Sequence, residues 1–233
     1  MKATGKQPAP SLAVEHEVLA VVFQVRGGVL SVLLWQRGQA PFARAWALPG
    51  GALPRDEDLV ASIRRQLAEK VDVRELNHLE QLETTGDPHR HPSVRVLATS
   101  YLGLVPADAD PVLPPDTTWH QVDRLPRLAF DHATIVAGGV RRLRAKLSYT
   151  NIGFALAPPL FTMSDLAGYY RAALGYGVQP TNLQRILTRR GQIEPTGDTR
   201  RSGASGGRPA VLYRFTSTAL DVTDPFAVLA PPT

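Results

Sequence analysis

Four side chains near residue 66 have the types and spacing to do phosphate chemistry. Gln66, Glu69 and Lys70 lie three or four residues apart, so on a helix they share one face, with Glu57 one segment upstream. Carboxylates grouped at that spacing hold divalent cations, which neutralise phosphate charge and activate water for cleavage of a diphosphate. Here the trio Gln66, Glu69 and Lys70 carries no net charge, and an ammonium stands where a cation would need an anionic ligand. We expect such a face to hold a nucleotide but not to hydrolyse one, with Lys70 paired to Glu69 or Glu57.

The spacing itself carries more information. Gly51 is followed by five residues and Glu57, then seven residues, then Arg65-Gln66-Leu67-Ala68-Glu69-Lys70-Val71-Asp72-Val73. This resembles the Nudix box, G-x5-E-x7-R-E-U-x-E-E-x-G-U with U aliphatic, in unbroken register. The resemblance implies metal-binding Glu at positions 66, 69 and 70. Gln66 and Lys70 replace two of them, and Asp72 stands at the usual Gly.

A second chemically loaded region lies near the C-terminus. Residues 151–233 hold eight basic side chains against five acidic ones, and all eight are Arg. Seven of them (185, 189, 190, 200, 201, 208 and 214) fall within 182–214, beside only Glu194 and Asp198. The guanidinium fork matches phosphate oxygens and guanine edges, so a compact Arg-only cluster is a footprint for nucleic acid.

The elements that must position these groups follow from hydrophobic periodicity and turn signals. His16–Val25 and Val29–Trp35 are apolar runs around Gly27-Gly28, a hairpin pattern. The box predicts a helix from about Asp56 to Lys70. Leu79–Glu83 and Val94–Val105 read as strands and Pro111–Pro115 as loop, and Asp131 is a candidate N-cap for a helix reaching Leu147. Strands with helices inserted on both sides predict an α/β/α sandwich, and Tyr149–Pro159 is a junction.

Beyond the junction the pattern changes. Thr162-Met-Ser-Asp165 is a capping box opening a helix that ends at Gly175 or Gly177, and Pro180-Thr181 opens a second helix closed by Gly191. A basic Gly/Ser loop, Arg200 to Pro209, then leads into a strand, Ala210–Phe215. Helix, helix, basic loop and strand is the order of a winged helix-turn-helix. At 100° per residue Leu183, Ile186 and Leu187 fall in one core-facing sector. Thr181, Asn182, Gln184, Arg185, Thr188 and Arg189 are left for nucleic acid, a polar set without any acid, with Arg200, Arg201 and Arg208 flanking the wing. An ordinary surface helix would share the apolar stripe but has no reason to lack acids.

Both halves together resemble one family, the Nudix-related transcriptional regulators of NAD metabolism known as NrtR. The carriers are the altered box, Phe130-Asp-His-Ala133, Leu143-Arg-Ala-Lys-Leu-Ser-Tyr-Thr-Asn151, Phe161-Thr-Met-Ser-Asp-Leu166, Asn182-Leu-Gln-Arg185 and Gly207-Arg-Pro-Ala-Val-Leu-Tyr-Arg-Phe215. The resemblance implies an α/β (α+β) fold, a Nudix sandwich over 1–150 followed by a winged helix over 151–233. It also implies a homodimeric repressor of NAD biosynthesis or salvage genes that binds a palindromic operator. Its effector would be ADP-ribose or a related NAD metabolite, with no cofactor required and no metal assigned. For the ligand we nominate Arg37 for the diphosphate, Trp46 for the adenine face, Asp87 in an Asp-Pro loop, and Glu57, Glu69, Lys70 and Arg95. His89 and His91 are expected to be exposed loop residues, and Thr216–Thr233 carries no functional signal.

Two further classes compete. One is a pyrophosphatase acting on ADP-ribose or another nucleoside diphosphate derivative, recruiting Glu57, Glu69, Glu80, Glu83 or Asp87. The other is an RNA-binding module, disfavoured because a recognition helix fits the major groove of B-form DNA and not that of A-form RNA. The chain has no cysteine, Met1–Pro10 has no apolar core of a secretion signal, and no apolar run is long enough for a membrane, so a cytoplasmic protein is expected.

Overall fold

The computed structural model describes residues 14–201 and 209–224. A seven-stranded sheet is built on β1 (Glu15–Arg26) and β2 (Val29–Gln36), which form the expected hairpin around Gly27 and Gly28, both at positive φ. The short β3 (Trp46–Ala47) and β4 (Gly50–Ala52) pair with β2 and β1, and then comes helix α1 (Leu59–Val71). β5 (His78–Thr85), β6 (Val96–Leu104) and β7 (Thr117–Gln121) complete the sheet in the order β3-β2-β1-β6-β5, with β7 on β2. β6 runs parallel to β1 in continuous register from Glu15–Val96 to Phe23–Leu104.

The alternation of β1 decides which helix covers which face. Val18, Ala20 and Val22 point to one side, where Ile63, Leu67 and Val71 of α1 bury them. Leu19, Val21 and Phe23 point to the other, against Ile135, Val136, Val140 and Leu143 of α2 (His132–Tyr149). Gly139 allows that helix its close approach, because a Cβ there would lie 3.0 Å from Val21 and 3.2 Å from Phe23. The result is the α/β/α sandwich.

The predicted junction is buried rather than loose. Ile152–Ala155 form a 3-10 turn whose side chains enter the same apolar cluster as α2, and Asn151 accepts from the Asp221 amide and donates to the Ala219 carbonyl, both at 2.8 Å. Residues 216–224 thus have a structural role that their sequence did not reveal. Arg190 anchors the same strap, donating to the Ser148 carbonyl at 2.9 Å and pairing with Asp224.

Helices α3 (Met163–Leu174) and α4 (Pro180–Arg189) and the hairpin of β8 (Ile193–Arg200) with β9 (Ala210–Phe215) complete the chain. The capping box forms as expected: the Thr162 hydroxyl accepts from the Asp165 amide at 3.2 Å and the Asp165 carboxylate from the Thr162 amide at 3.0 Å. Gly175, at φ 82, ends α3. Strand β8 is an addition to the predicted elements. Pro195 and Gly197 interrupt its pattern, and its register with β9 shifts between Pro195 and Thr199. No helix among the described residues is long and apolar enough to cross a membrane.

Candidate functional site

The box helix begins later than its sequence predicts. Asp58 is its N-cap, with one carboxylate oxygen accepting from Val60 and Ala61 amides at 2.8 and 2.9 Å. Arg65 then organises the acidic groups. It holds Glu57 through two parallel bonds of 2.9 and 2.8 Å and reaches Glu69, one turn on, at 2.9 Å. Its hydrogen bond keeps the Glu57 carboxyl below the ordinary carboxylate range.

Lys70 does not pair with Glu57 or Glu69, which corrects the expectation from sequence. Its ammonium donates to the Gly50 carbonyl at 2.6 Å and sits 5.2 Å from the centre of the Trp35 ring. The reason is competition: Arg65 has already engaged both carboxylates, and Gly50 turns its carbonyl toward α1 with φ 152. A Cβ at Gly50 would lie 2.0 Å from the Val18 carbonyl oxygen, so the approach requires glycine. Burial, then Arg37 and Arg65, push the Lys70 ammonium pKa down. Gln66 is buried beside Gly51, its amide oxygen without a partner among the described residues.

Two other nominated carboxylates, Glu80 and Asp87, are also engaged. Glu80 meets Lys146 at 2.7 Å and His78 at 3.3 Å. Burial would raise its pKa, but the hydrogen bonds from His78 and Lys146 hold it at about 2. Asp87 is exposed and closes its own loop, accepting from the His89 amide at 2.7 Å. Among the described residues no group of three or more His, Asp or Glu side chains is placed to hold a metal ion.

Arg37 lies at the centre of a cationic and aromatic cluster. Its guanidinium is 4.8 Å from the centre of the Phe130 ring, and its charge acts on both Lys70 and His132. Phe42 packs edge-on against Phe130 at 4.9 Å, and His91 stacks on it at 5.4 Å. His91 is therefore a packed residue and not merely an exposed loop one. Beneath the cluster, Arg90 has a fully buried side chain bonded to Glu17 at 2.6 Å and to Asp131 at 2.9 and 3.1 Å. Asp131 precedes α2 as expected, but its carboxylate serves Arg90 and does not cap the helix.

His132 is buried and accepts from the Leu48 amide at 3.0 Å through Nδ1, and burial pushes its pKa down to about 3. Trp46 packs on the apolar cluster and meets His120 edge-on at 4.5 Å. Arg95 lies near Gly86 with one guanidinium nitrogen buried and unpartnered among the described residues. Sequence reasoning missed Glu17, Phe42, Arg90, Phe130 and His132 as site residues. The only signal was Phe130-Asp-His132, since the positive φ of Phe42 (62) and Phe130 (51) has no sequence mark in a non-glycine residue.

At the other end, α4 presents the predicted face. Leu183 and Leu187 are buried, whereas Thr181, Asn182, Arg185, Thr188 and Arg189 are exposed. Gln184 is half-buried and donates to the Tyr213 hydroxyl of β9 at 2.7 Å, and Arg185 donates to Asn182 at 2.9 Å. Arg200 ends strand β8, a correction to its placement in a loop, and pairs with Asp165 of the capping box at 2.8 Å. Arg201 is exposed just beyond the strand, and Arg208 lies outside the described residues.

Comparison with known proteins places these features. Residues 15–138 match the family described as NUDIX domain, and residues 153–215 match the NrtR DNA-binding winged helix domain. The chain is 32% identical over 225 residues to the ADPR responsive transcriptional repressor NtrR of Acinetobacter baylyi, covering 94% of this chain and 87% of that protein. The crystal structure of Shewanella oneidensis NrtR complexed with a 27mer DNA superimposes with a TM-score of 0.73 at 31% identity, over 86% of this chain and 93% of that one. The NUDIX domain of the same Shewanella protein, complexed with ADP ribose, matches at TM-score 0.51 and 33% identity, over 59% of this chain and 94% of that one. A NUDIX sandwich joined to this winged helix, at such identity along nearly the whole length, means that the chain belongs to the NrtR family.

Proposed function

We propose that this protein is a transcriptional repressor of NAD biosynthesis or salvage genes that binds a palindromic operator as a homodimer and senses ADP-ribose or a related NAD metabolite. The observation that carries this is the acid-free exposed face of α4, set beside a basic β8–β9 wing and joined through a buried junction to a Nudix sandwich whose box has lost two carboxylates. Division of the chain at 150/151 gives each half one task. Thr181, Asn182, Arg185, Thr188 and Arg189 meet the major groove, and Arg200, Arg201 and Arg208 meet phosphates, with Gln184 orienting the helix.

The effector lies over the Arg37–Phe130 cluster, its diphosphate near Arg37 and Lys70. Glu57, Glu69, Asp87, Arg95 and Trp46 are the further contacts assigned to this ligand. The named relatives support this, one as an ADPR-responsive repressor and one as a structure with ADP ribose. The box does not hydrolyse its ligand, because Lys70 is bonded to Gly50 and Arg65 engages Glu57 and Glu69. Two domains reading half-sites at a fixed spacing are sensitive to dimer geometry, so effector binding shifts operator affinity by a coupling of about 1 to 3 kcal/mol, or about 5- to 150-fold.

The test is a gel-shift with the chain's own upstream DNA and neighbouring promoters, with and without ADP-ribose. A specific shift that responds to ADP-ribose is expected. Absence of any sequence-specific shift would overturn the DNA-binding assignment, and an unresponsive shift would exclude this effector.

A further inference from the structure

We propose a second ligand site, for a nucleoside polyphosphate, in the groove between α2, the end of α3 and the β1–β2 turn. The groove encloses about 860 Å³, within the range of about 300 to 1,000 Å³ common to small-molecule sites. Its lining includes none of the residues assigned to the effector, and it lies on the opposite face of the sheet from the box helix.

Its chemistry is divided in the way a nucleotide is. The floor is apolar, made by Leu30 of β2 with Val136 and Val140 of α2. At the rim stand Arg141 and Arg144 from α2 and Arg171 from the last turn of α3. None of the three forms an ion pair among the described residues, although Asp123 also lines the groove, whereas Arg65, Arg90, Arg190, Arg200 and Arg214 all do. Arg144 is held in place by its bond to the Ala173 carbonyl at 3.1 Å, and a side chain at Gly175 would come within 2.8 Å of it. Tyr176, 62% exposed, stands at the same rim.

Three guanidinium groups lining one groove, against the single carboxylate of Asp123, match a polyphosphate, and an apolar floor beside an exposed phenol matches a base. The walls come from both halves of the chain, α2 and the hairpin from the sandwich and α3 from the winged helix. A ligand there would bias their relative placement. That consequence rests on the proposed regulator function, but binding itself does not.

The experiment uses full-length protein with ATP, inorganic pyrophosphate and adenosine in calorimetry, and 8-azido-ATP for photolabelling. ATP is expected to bind more tightly than either fragment. Arg141→Ala and Arg171→Ala, both at exposed positions with no ion pair among the described residues, should each weaken ATP about tenfold. Arg37→Ala should leave ATP affinity unchanged, and the label should fall on peptides containing residues 28–30 or 171–177. ATP binding unaffected by Arg141→Ala and Arg171→Ala, or label confined to residues 37–52 and 65–70, would overturn the site. Sedimentation gives a separate check: if the two arginine variants dissociate an otherwise dimeric protein, the groove is a subunit interface and the proposal fails. Loss of operator binding with these results intact would count only against the regulator assignment.

Discussion

Gln184 of α4 donates to the hydroxyl of Tyr213 in β9 at 2.7 Å, joining the candidate recognition helix to the returning strand of the wing. The bond removes Gln184 from the free polar face and fixes the angle between helix and wing. Tyr213→Phe deletes only the hydroxyl, so we expect a loss of about 0.5 to 1.5 kcal/mol in denaturant unfolding. A variant as stable as the parent would show that the bond does not hold the two elements together.

Arg185, one residue further on, is exposed and donates to Asn182 on the same helix. Arg185→Ala should cost about 1 to 3 kcal/mol on the operator and relax sequence preference. Arg201→Ala or Arg208→Ala should weaken binding to all sequences and lower the salt slope by about 1 for each phosphate no longer neutralised. Operator and random-DNA affinities over a salt series separate the two behaviours. Parental operator affinity for Arg185→Ala would mean that another face reads the DNA.

Purified protein should release little or no AMP from ADP-ribose or NAD with Mg²⁺ or Mn²⁺. Lys70 occupies the approach to the Gly50 carbonyl, and Gln66 brings no charge. Gln66→Glu with Lys70→Glu should improve cation binding, measured by calorimetry, whether or not turnover follows. Robust metal-dependent hydrolysis by the unaltered chain would promote the pyrophosphatase alternative.

His132 supplies a pH dependence with a definite sign. Its folded pKa of about 3 lies below the ordinary 6.5, because burial disfavours the imidazolium. Below pH 6.5 the unfolded chain therefore binds a proton that the folded chain does not, and stability falls with decreasing pH until about pH 3. That one group contributes a slope of about 1.4 kcal/mol per pH unit across the window. His132→Asn keeps an acceptor for the Leu48 amide, and the difference between its stability curve and the parent's should flatten above pH 6.5. Parallel curves down to pH 4 would contradict a neutral buried His132.

Arg90 links Glu17 and Asp131 from within the core. Arg90→Met leaves two half-buried carboxylates facing each other without their cation, and should cost about 3 to 5 kcal/mol in thermal or denaturant unfolding. A loss below about 1 kcal/mol would mean that water satisfies those groups.

The order of elements was legible in the sequence because it rests on local signals. The Gly27-Gly28 turn, the period of β1 and β2, the Thr162–Asp165 capping box and the stripe of Leu183 and Leu187 each act within a few residues, and each appears in the structure. The altered charge of the box is likewise a property of residue types at fixed spacing. Partner choice is different, because it depends on which groups arrive at the same place. Lys70 chose a carbonyl over two nearby carboxylates because Arg65 already held them. Asp131 gave up its cap for Arg90, 41 residues away, and Arg190, one of the seven clustered arginines, pairs with the C-terminal strap at Asp224. Strand β8 escaped notice because Pro195 and Gly197 break its alternation, and only the long-range ladder to β9 restores it. Local periodicity fixes elements, whereas competition among charged groups for a limited number of buried partners is settled only when the whole chain has folded.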